Sequence, residues 1–372
     1  MENSNAPLHL MPASEPDDDL LPDDGAAEAD EMDDESARLY EHFRVVADRG
    51  QQLLRVDRFL VEHLPDTSRN RIQQAARAGF IHVGGRPVKS NYRVKPGDVV
   101  TMVLDRPPYD NTIVPENIPL DIVYEDDQLM VVNKPAGMVV HPGHGNYHGT
   151  LVHAVAWHLR NLPDFDPNDP SLGLVHRIDK DTSGLLVIAK TAVAKTRLGL
   201  QFFNKTTRRC YNALVWGRFD APEGRIEGNI GRNPKDRLQM AVFPPGSDVG
   251  KPAVTHYHVL EALGPVTWVE CVLETGRTHQ IRAHMSHIGH PLFADARYGG
   301  DRILRGNTSG AYRQFVEHCF SLCPRQALHA RTLGFQHPTT GREMDFTSDL
   351  PADMQALVSR WRAYVAAHAS IP

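Results

Sequence analysis

Apolar residues at Val56, Phe59, Leu60 and Leu64 recur at helical spacing and predict a helix that Pro65 stops. Ser68 is placed to cap a second helix, Arg69 to Ala78, which Gly79 closes. The period then shortens. Phe80 to Val83, a Gly84-Gly85 turn, a short run around Pro87-Val88, a turn at Lys95 to Asp98 and Val99 to Leu104 predict a small sheet. Residues 105–118 carry Pro107, Pro108 and Pro115 among polar residues and read as a linker. From Pro119 to about Tyr364 the pattern alternates irregularly. Leu129 to Val132, Gly184 to Ala189, Tyr211 to Trp216, Val254 to Leu260 and Trp268 to Leu273 predict strands, the last with Val269, Cys271 and Leu273 inward. Thr150 to Arg160, Ala192 to Asn204, Thr278 to Ile288 and Met354 to Ala367 predict helices. This order implies a mixed α+β domain and excludes regular βαβ repeats; no internal repeat and no Gly-rich nucleotide fingerprint is present.

Composition changes the picture at the N-terminus. Residues 1–37 hold thirteen Asp and Glu and no Lys or Arg, so they cannot bury enough apolar surface to order themselves and read as a disordered acidic tail. The whole chain carries −6, but residues 38–372 keep all 40 basic residues against 33 acidic ones, a net +7. A mildly basic folded part suits an RNA partner without requiring one. Four cysteines (Cys210, Cys271, Cys319, Cys323) are too few and too irregular for a disulfide framework. No signal-peptide pattern and no apolar run of membrane-spanning length is found, so a cytoplasmic protein is expected.

The two predicted helices and small sheet, taken as residues 38–104, resemble the S4-type RNA-binding module. Residues 53–104 hold nine Lys or Arg against four acids. Arg55, Arg58, Arg69, Arg71 and Lys89 are the candidate RNA contacts; Arg69 and Arg71 open the second helix, where free backbone N–H groups already favour phosphate. A solvated helical face would carry similar charge.

The most informative stretch runs from Gly173 to Lys190. His176, Arg177, Asp179, Lys180 and Asp181 crowd a loop leading into the apolar strand Leu185 to Ala189. Catalytic groups concentrate in such loops, although an ordinary polar loop with internal ion pairs would read the same way. The segment His176-Arg177-Ile178-Asp179-Lys180-Asp181-Thr182-Ser183-Gly184 resembles the H-R-[LI]-D-x-x-T-S-G motif of the RluA-type pseudouridine synthases at every defined position. Arg209 to Gly217 resembles that family's second motif and Gly276 to His284 its third; Val131 to Pro142 matches a further recurrent stretch. The resemblance covers roughly residues 50–350. It implies a mixed-sheet catalytic domain, taken as residues 119–372, behind the S4-type module.

By this resemblance Asp179 is the catalytic carboxylate, Tyr211 packs on the target base and Arg282 pairs with Asp179. Ile281 lines the base pocket, and Arg177 fills the stack that the target nucleotide leaves. The reaction breaks the N1–C1′ bond of a uridine, turns the base and joins C5 to C1′. Nothing is oxidised and no group is imported, so no cofactor is implied. Attack at C1′, addition to the base ring and removal of a proton are all open to Asp179. A buried Asp179 needs a cation to stay ionised, and an arginine gives a bidentate grip that a lysine cannot.

Two histidine groups, His141/His144/His148/His153 and His279/His284/His287/His290, suggest metal ligands. Neither carries a zincin-type glutamate or a Cys pair at ligand spacing, so no metal is expected. Cys319 and Cys323 read as packing residues. An S4-type module before the catalytic domain, with the wording around His141 to Asn146, His290 to Phe293, Tyr298 to Arg302 and Pro324 to Ala330, resembles the RluD-like branch that acts on large-subunit (23S) ribosomal RNA. A monomer with RNA as its partner, and no membrane or small-molecule partner, is the expectation. Action on transfer RNA, or non-catalytic binding during ribosome assembly, are the other readings. Ala294-Asp295 departs from the Gly-Asp of many relatives, with little effect on chemistry expected, and the acidic tail has no counterpart in the resemblance.

Overall fold

In the computed structural model, residues 39–64, 67–104, 113–143, 145–162, 173–236 and 238–368 are described. The acidic stretch and residues 105–112 of the expected linker lie outside them. Contacts divide the chain into two bodies, whose described parts are residues 39–104 and 113–368.

The first body is built from β1 (Tyr40–Val46), α1 (Val56–His63), α2 (Arg69–Arg77), β2 (Ile81–Val83), β3 (Arg86–Pro87) and β4 (Val99–Leu104). The strands pair antiparallel in the order β1-β4-β2-β3. Val56, Phe59 and Leu60 of α1 and Ile72 and Ala76 of α2 pack with Ile81 and Val100 in one core. The Ser68 hydroxyl accepts from Arg71 N–H, the cap that the sequence predicts. β1 was not predicted: a register shift between Glu41 and Phe43 interrupts the alternation that would have revealed it.

The second body centres on a sheet of ten strands among the described residues, in the order β10-β9-β11-β12-β8-β13-β7-β6-β5, with β14 beside β13. Its strands are β5 (Ile122–Glu125), β6 (Leu129–Lys134), β7 (Ser183–Ala189), β8 (Arg208–Trp216), β9 (Glu223–Arg232), β10 (Met240–Phe243), β11 (Lys251–Leu263), β12 (Val266–Leu273), β13 (Leu328–Gln336) and β14 (Glu343–Thr347). Its helices are α3 (Leu151–Leu159), α4 (Ala192–Phe203), α5 (Gln280–His287), α6 (Gly310–Leu322) and α7 (Ala352–His368). β7 pairs parallel with β13 while its other neighbour, β6, is antiparallel, so the sheet is mixed, as the α+β expectation requires. Ile113 is buried against Val152 and Ala156, so packing of this body begins inside the expected linker.

Both faces of the central strands are covered, which explains their apolar runs. Ala213 and Val215 of β8 join a core with α3 and α5, whereas Leu214 and Trp216 join another with α6 and α7. Trp268 of β12 enters that second core, so this strand is buried beyond the single face expected of it. Cys319 and Cys323 are free thiols packed there with Trp361. Gly184 lets β7 approach β13: a Cβ there would lie 2.3 Å from the Ala330 carbonyl oxygen. That approach sets the loop before β7 beside β8, across the width of β13.

Candidate active site

A pocket at this junction is walled by the loop before β7, by α4, by β8 and by the start of α5. Asp179, Arg177 and Ile178 reach it from the loop, Arg209 and Tyr211 from β8, and Ile281 and Arg282 from α5. It therefore gathers Asp179, Tyr211, Arg282, Ile281 and Arg177, of which Asp179 and Arg282 are 103 residues apart in the chain. Tyr211 and Ile281 are buried, Asp179 is partly buried and Arg177 is exposed.

Arg282 is enclosed at 2 % exposure and holds two carboxylates. Its Nη1 donates to Asp179 Oδ2 at 3.1 Å, while Nε and Nη2 donate to Asp295 Oδ2 and Oδ1 at 2.8 and 3.0 Å. The bidentate grip expected on Asp179 thus falls on Asp295, leaving one oxygen of Asp179 outside the pair. Asp295 also accepts from the backbone N–H groups of Arg297 and Tyr298, which fixes its direction. Burial works against the Arg282 cation, but Asp295 and Asp179 outweigh it and raise its pKa above the ordinary range. Tyr298 places its ring 5.1 Å from the guanidinium.

Burial lifts the Asp179 carboxyl. The charges of His279 and Arg282, the hydrogen bond from Arg282 and the charge of Arg177 outweigh that and hold it below its usual range. His279 is itself pushed down to about 4, by burial first, so near neutral pH the arginines supply the charge. His279 holds φ at 53° immediately before α5, a left-handed conformation costing a non-glycine residue about 1 kcal/mol. Its Nδ1 shares a hydrogen bond with the Tyr298 hydroxyl at 3.1 Å. Burial raises the Tyr211 phenol, which stays a neutral, flat surface.

The Asp179 loop is held from behind through its carbonyls. Lys134 Nζ donates to Lys180, Pro135 and Met138 carbonyls at 2.7–2.8 Å, and Gly137 N–H donates to Lys180 as well. Burial pulls Lys134 down to about 7, opposed by Asp181 and Asp179, yet three acceptors require the ammonium form. Arg325 donates to the Asp181 carbonyl at 2.8 Å and is gripped by Asp353 of α7 at 2.7 and 3.1 Å. His176 accepts from Val187 N–H and is pushed down to about 3 by burial and Arg209, so it acts as a neutral brace.

Sequence reasoning gave no role to Asp295, Tyr298, Lys134, Arg325 or Arg209. A signal was present for several of them: lone charges beside apolar runs, as in Pro-Leu-Phe-Ala-Asp ending at Asp295 and Leu-Met-Val-Val-Asn-Lys ending at Lys134.

The histidine groups come apart. His284 is buried and bonded to the Thr255 hydroxyl, whereas His287 is exposed, so they do not form one ligand face. His144 lies outside the described residues. Among the described residues, Glu116, His148 and His153 bring ligand atoms within 4.8 Å of one another, a set that could hold a metal ion. His153 Nδ1 is already engaged by Thr150 in the cap of α3.

In the first body, Arg55 and Arg69 donate to the fully buried Asp57, with Gln73 as a further donor. Both arginines remain about half exposed, at 44% and 54%. Arg58 approaches Glu62 only to 3.9 Å.

The chain is similar in sequence and fold to known RNA pseudouridine synthases. An RNA pseudouridylate synthase family model matches residues 128–287 and an S4 domain model matches residues 54–100. An uncharacterized RNA pseudouridine synthase of Chlorobaculum parvum is 44% identical over 323 residues, 86% of this chain and 98% of that protein. Another, YlyB of Bacillus subtilis, is 43% identical over 318 residues, 86% of this chain and 97% of its own. The ribosomal large subunit pseudouridine synthase D of Neisseria meningitidis serogroup B is 44% identical over 308 residues, covering 82% and 78%. The solved structure of human RNA pseudouridylate synthase domain containing 4 matches with a TM-score of 0.51 at 25% identity, covering 65% of this chain and 92% of that one.

Proposed function

The chain belongs to the RNA pseudouridine synthases, and from that premise we propose that it isomerises uridines of large-subunit ribosomal RNA with Asp179 as the catalytic carboxylate. The observation that carries the site assignment is a carboxylate tied to a buried arginine in a pocket that Tyr211 and Ile281 line. Isomerisation breaks N1–C1′ and makes C5–C1′; C5 gives up a proton and N1 gains one. Asp179 has an oxygen outside the Arg282 pair to meet the sugar or the base. Tyr211 offers the flat surface on which a detached base can turn, and its hydroxyl can move a proton. Arg177, exposed at the rim, is the group available to enter the stack and offset the cost of extrusion, on the order of a few kcal/mol.

The ribosomal substrate is supported by the names of relatives at 40–44% identity, ribosomal large subunit pseudouridine synthase D in several bacteria. RNA contact in the first body falls to Arg58, Arg71 and Lys89, together with Arg55 and Arg69, which Asp57 holds in place while their outer edges remain open. Free thiols at all four cysteines suit the reducing cytoplasm where such RNA is made. No helix among the described residues is long and apolar enough to cross a membrane.

The test is Asp179→Asn. We expect unchanged affinity for ribosomal stem-loop RNA and complete loss of tritium release from RNA carrying C5-tritiated uridine. Residual turnover in the variant would refute the role of Asp179. Mapping pseudouridines in ribosomal and transfer RNA, with and without the protein, decides the substrate: new sites in transfer RNA alone would overturn the ribosomal reading.

A further inference from the structure

Alternation along β8 sends Arg208 and Arg209 to opposite fates. Arg208 is exposed and pairs with Glu343 and Asp345 of β14 at 2.9 and 2.8 Å. Arg209 points to the pocket side together with Tyr211, two residues on, and is 8 % exposed. Three arginines are buried among the described residues: Arg209, Arg282 and Arg325. Arg282 has Asp179 and Asp295, and Arg325 has Asp353. Arg209 has no carboxylate partner among the described residues, and its Nε is buried without a hydrogen-bond partner.

The surroundings of Arg209 do not neutralise it. Its guanidinium carbon lies 5.4 Å from the centre of the Phe202 ring, which in turn stacks on the neutral His176 at 4.4 Å. Burial and the nearby charge of Arg277 both work against the cation, opposed only by Tyr211. An arginine does not escape by losing its proton, so the free enzyme carries the cost of an unpaired buried charge. Gly276 leaves the space that the side chain occupies, since a Cβ there would stand 2.6 Å from Arg209 Nη1.

We propose that Arg209 is the receptor for a phosphodiester group flanking the extruded uridine. The inference rests on the reading of this pocket as an RNA uridine site. A uracil carbonyl would satisfy a hydrogen bond but not the charge, whereas a phosphate matches the guanidinium fork in both geometry and sign. A nucleotide swung out of its helix brings its phosphates with it. Arg209 and Tyr211 stand about 6–7 Å apart along the strand, the scale separating a nucleotide's base from its own phosphate. Base on Tyr211 and phosphate on Arg209 would set the sugar between them, beside Asp179.

The experiment is a coupling measurement on the full chain. A stem-loop of large-subunit ribosomal RNA that the wild-type enzyme converts is made with a neutral methylphosphonate on either side of the target uridine. Affinities are compared for wild type, Arg209→Met and Arg209→Lys. For the wild type, neutralising one of the two phosphates should weaken binding roughly ten- to hundredfold. Arg209→Met should show that loss with ordinary RNA and no further loss with the methylphosphonate; Arg209→Lys should lose less and remain sensitive. Without RNA, Arg209→Met should unfold at the wild-type temperature or above it, because a buried unpaired charge has been removed. Equal sensitivity of wild type and Arg209→Met to both methylphosphonates would overturn the assignment. So would a lowered unfolding temperature with RNA affinity unchanged, the mark of a purely structural arginine. Should Arg209→Met not fold, undiminished affinity and no methylphosphonate sensitivity in Arg209→Lys would overturn it equally. If no large-subunit RNA is converted by the wild type, the functional reading fails first and takes the proposal with it; conversion without coupling removes the proposal alone.

Discussion

Arg282 shows what a single residue position decides. One guanidinium is shared so that Asp295 takes the two-pronged grip and Asp179 the remaining donor. Asp295 thereby aims the arginine, and the arginine keeps Asp179 ionised while leaving it an open oxygen. Asp295→Asn should cost about 3–5 kcal/mol in urea unfolding, the range for breaking a buried pair. Tritium release should fall as Arg282 loses its direction, and a wild-type unfolding midpoint would disprove the account. Asp179 has the depressed folded pKa of a paired carboxylate, so its pair stabilises above the unfolded value and is lost as pH falls through the folded one. The motif makes Asp179, Tyr211 and Arg282 legible in the sequence because each belongs to a short run of fixed spacing. Asp295 was not, because its partner lies 13 residues away and only the return of the chain from α5 joins them. The neighbouring Ala294 has φ of 62°, a conformation favouring glycine, so the departure from Gly-Asp costs backbone energy while the acid keeps its place.

At the level of elements, the long apolar strands and helices were readable because burial imposes a period on them. β9 was not: Glu223–Arg232 holds three glycines and mostly polar residues, and it is made a strand by its neighbours, with Gly228 close under Val242. α6 carries Tyr312, Phe315, Val316 and Cys319 at helical spacing, a period legible in the sequence. In the first body one residue links elements outright. Asp57 of α1 accepts from Arg55 and from Arg69 and Gln73 of α2. Burial raises its pKa, but those hydrogen bonds outweigh burial and hold it at about 2 against 3.8. Its folded pKa is depressed, so the stabilisation is complete above pH 4 and is lost as pH falls from there toward 2. Asp57→Asn should therefore destabilise the first body by about 2 kcal/mol near neutral pH. Urea unfolding of both proteins across that range checks this; a gap that persists at pH 2 would show that charge is not the cause.

For the whole molecule, charge and division into two bodies belong together. The chain is net acidic, yet residues 38–372 are net +7, and the first body holds nine basic residues against four acids over residues 53–104. Each body has its own core, and the described residues that line the Asp179 pocket belong to the second body. Anchoring and chemistry should then be separable. Deleting residues 39–104 should leave the second body folded, with a cooperative unfolding transition of its own, while weakening RNA affinity. The dependence of affinity on salt should flatten by about 0.7 to 0.9 in log–log slope for each phosphate contact removed. Turnover at saturating RNA should persist, because Asp179, Arg282, Tyr211 and Arg209 are all retained. An unchanged slope would mean that Arg55, Arg58, Arg69, Arg71 and Lys89 do not meet phosphate. Loss of turnover at saturation, with the second body still folded, would mean that the S4 domain helps to build the catalytic geometry and does not only hold the RNA near it.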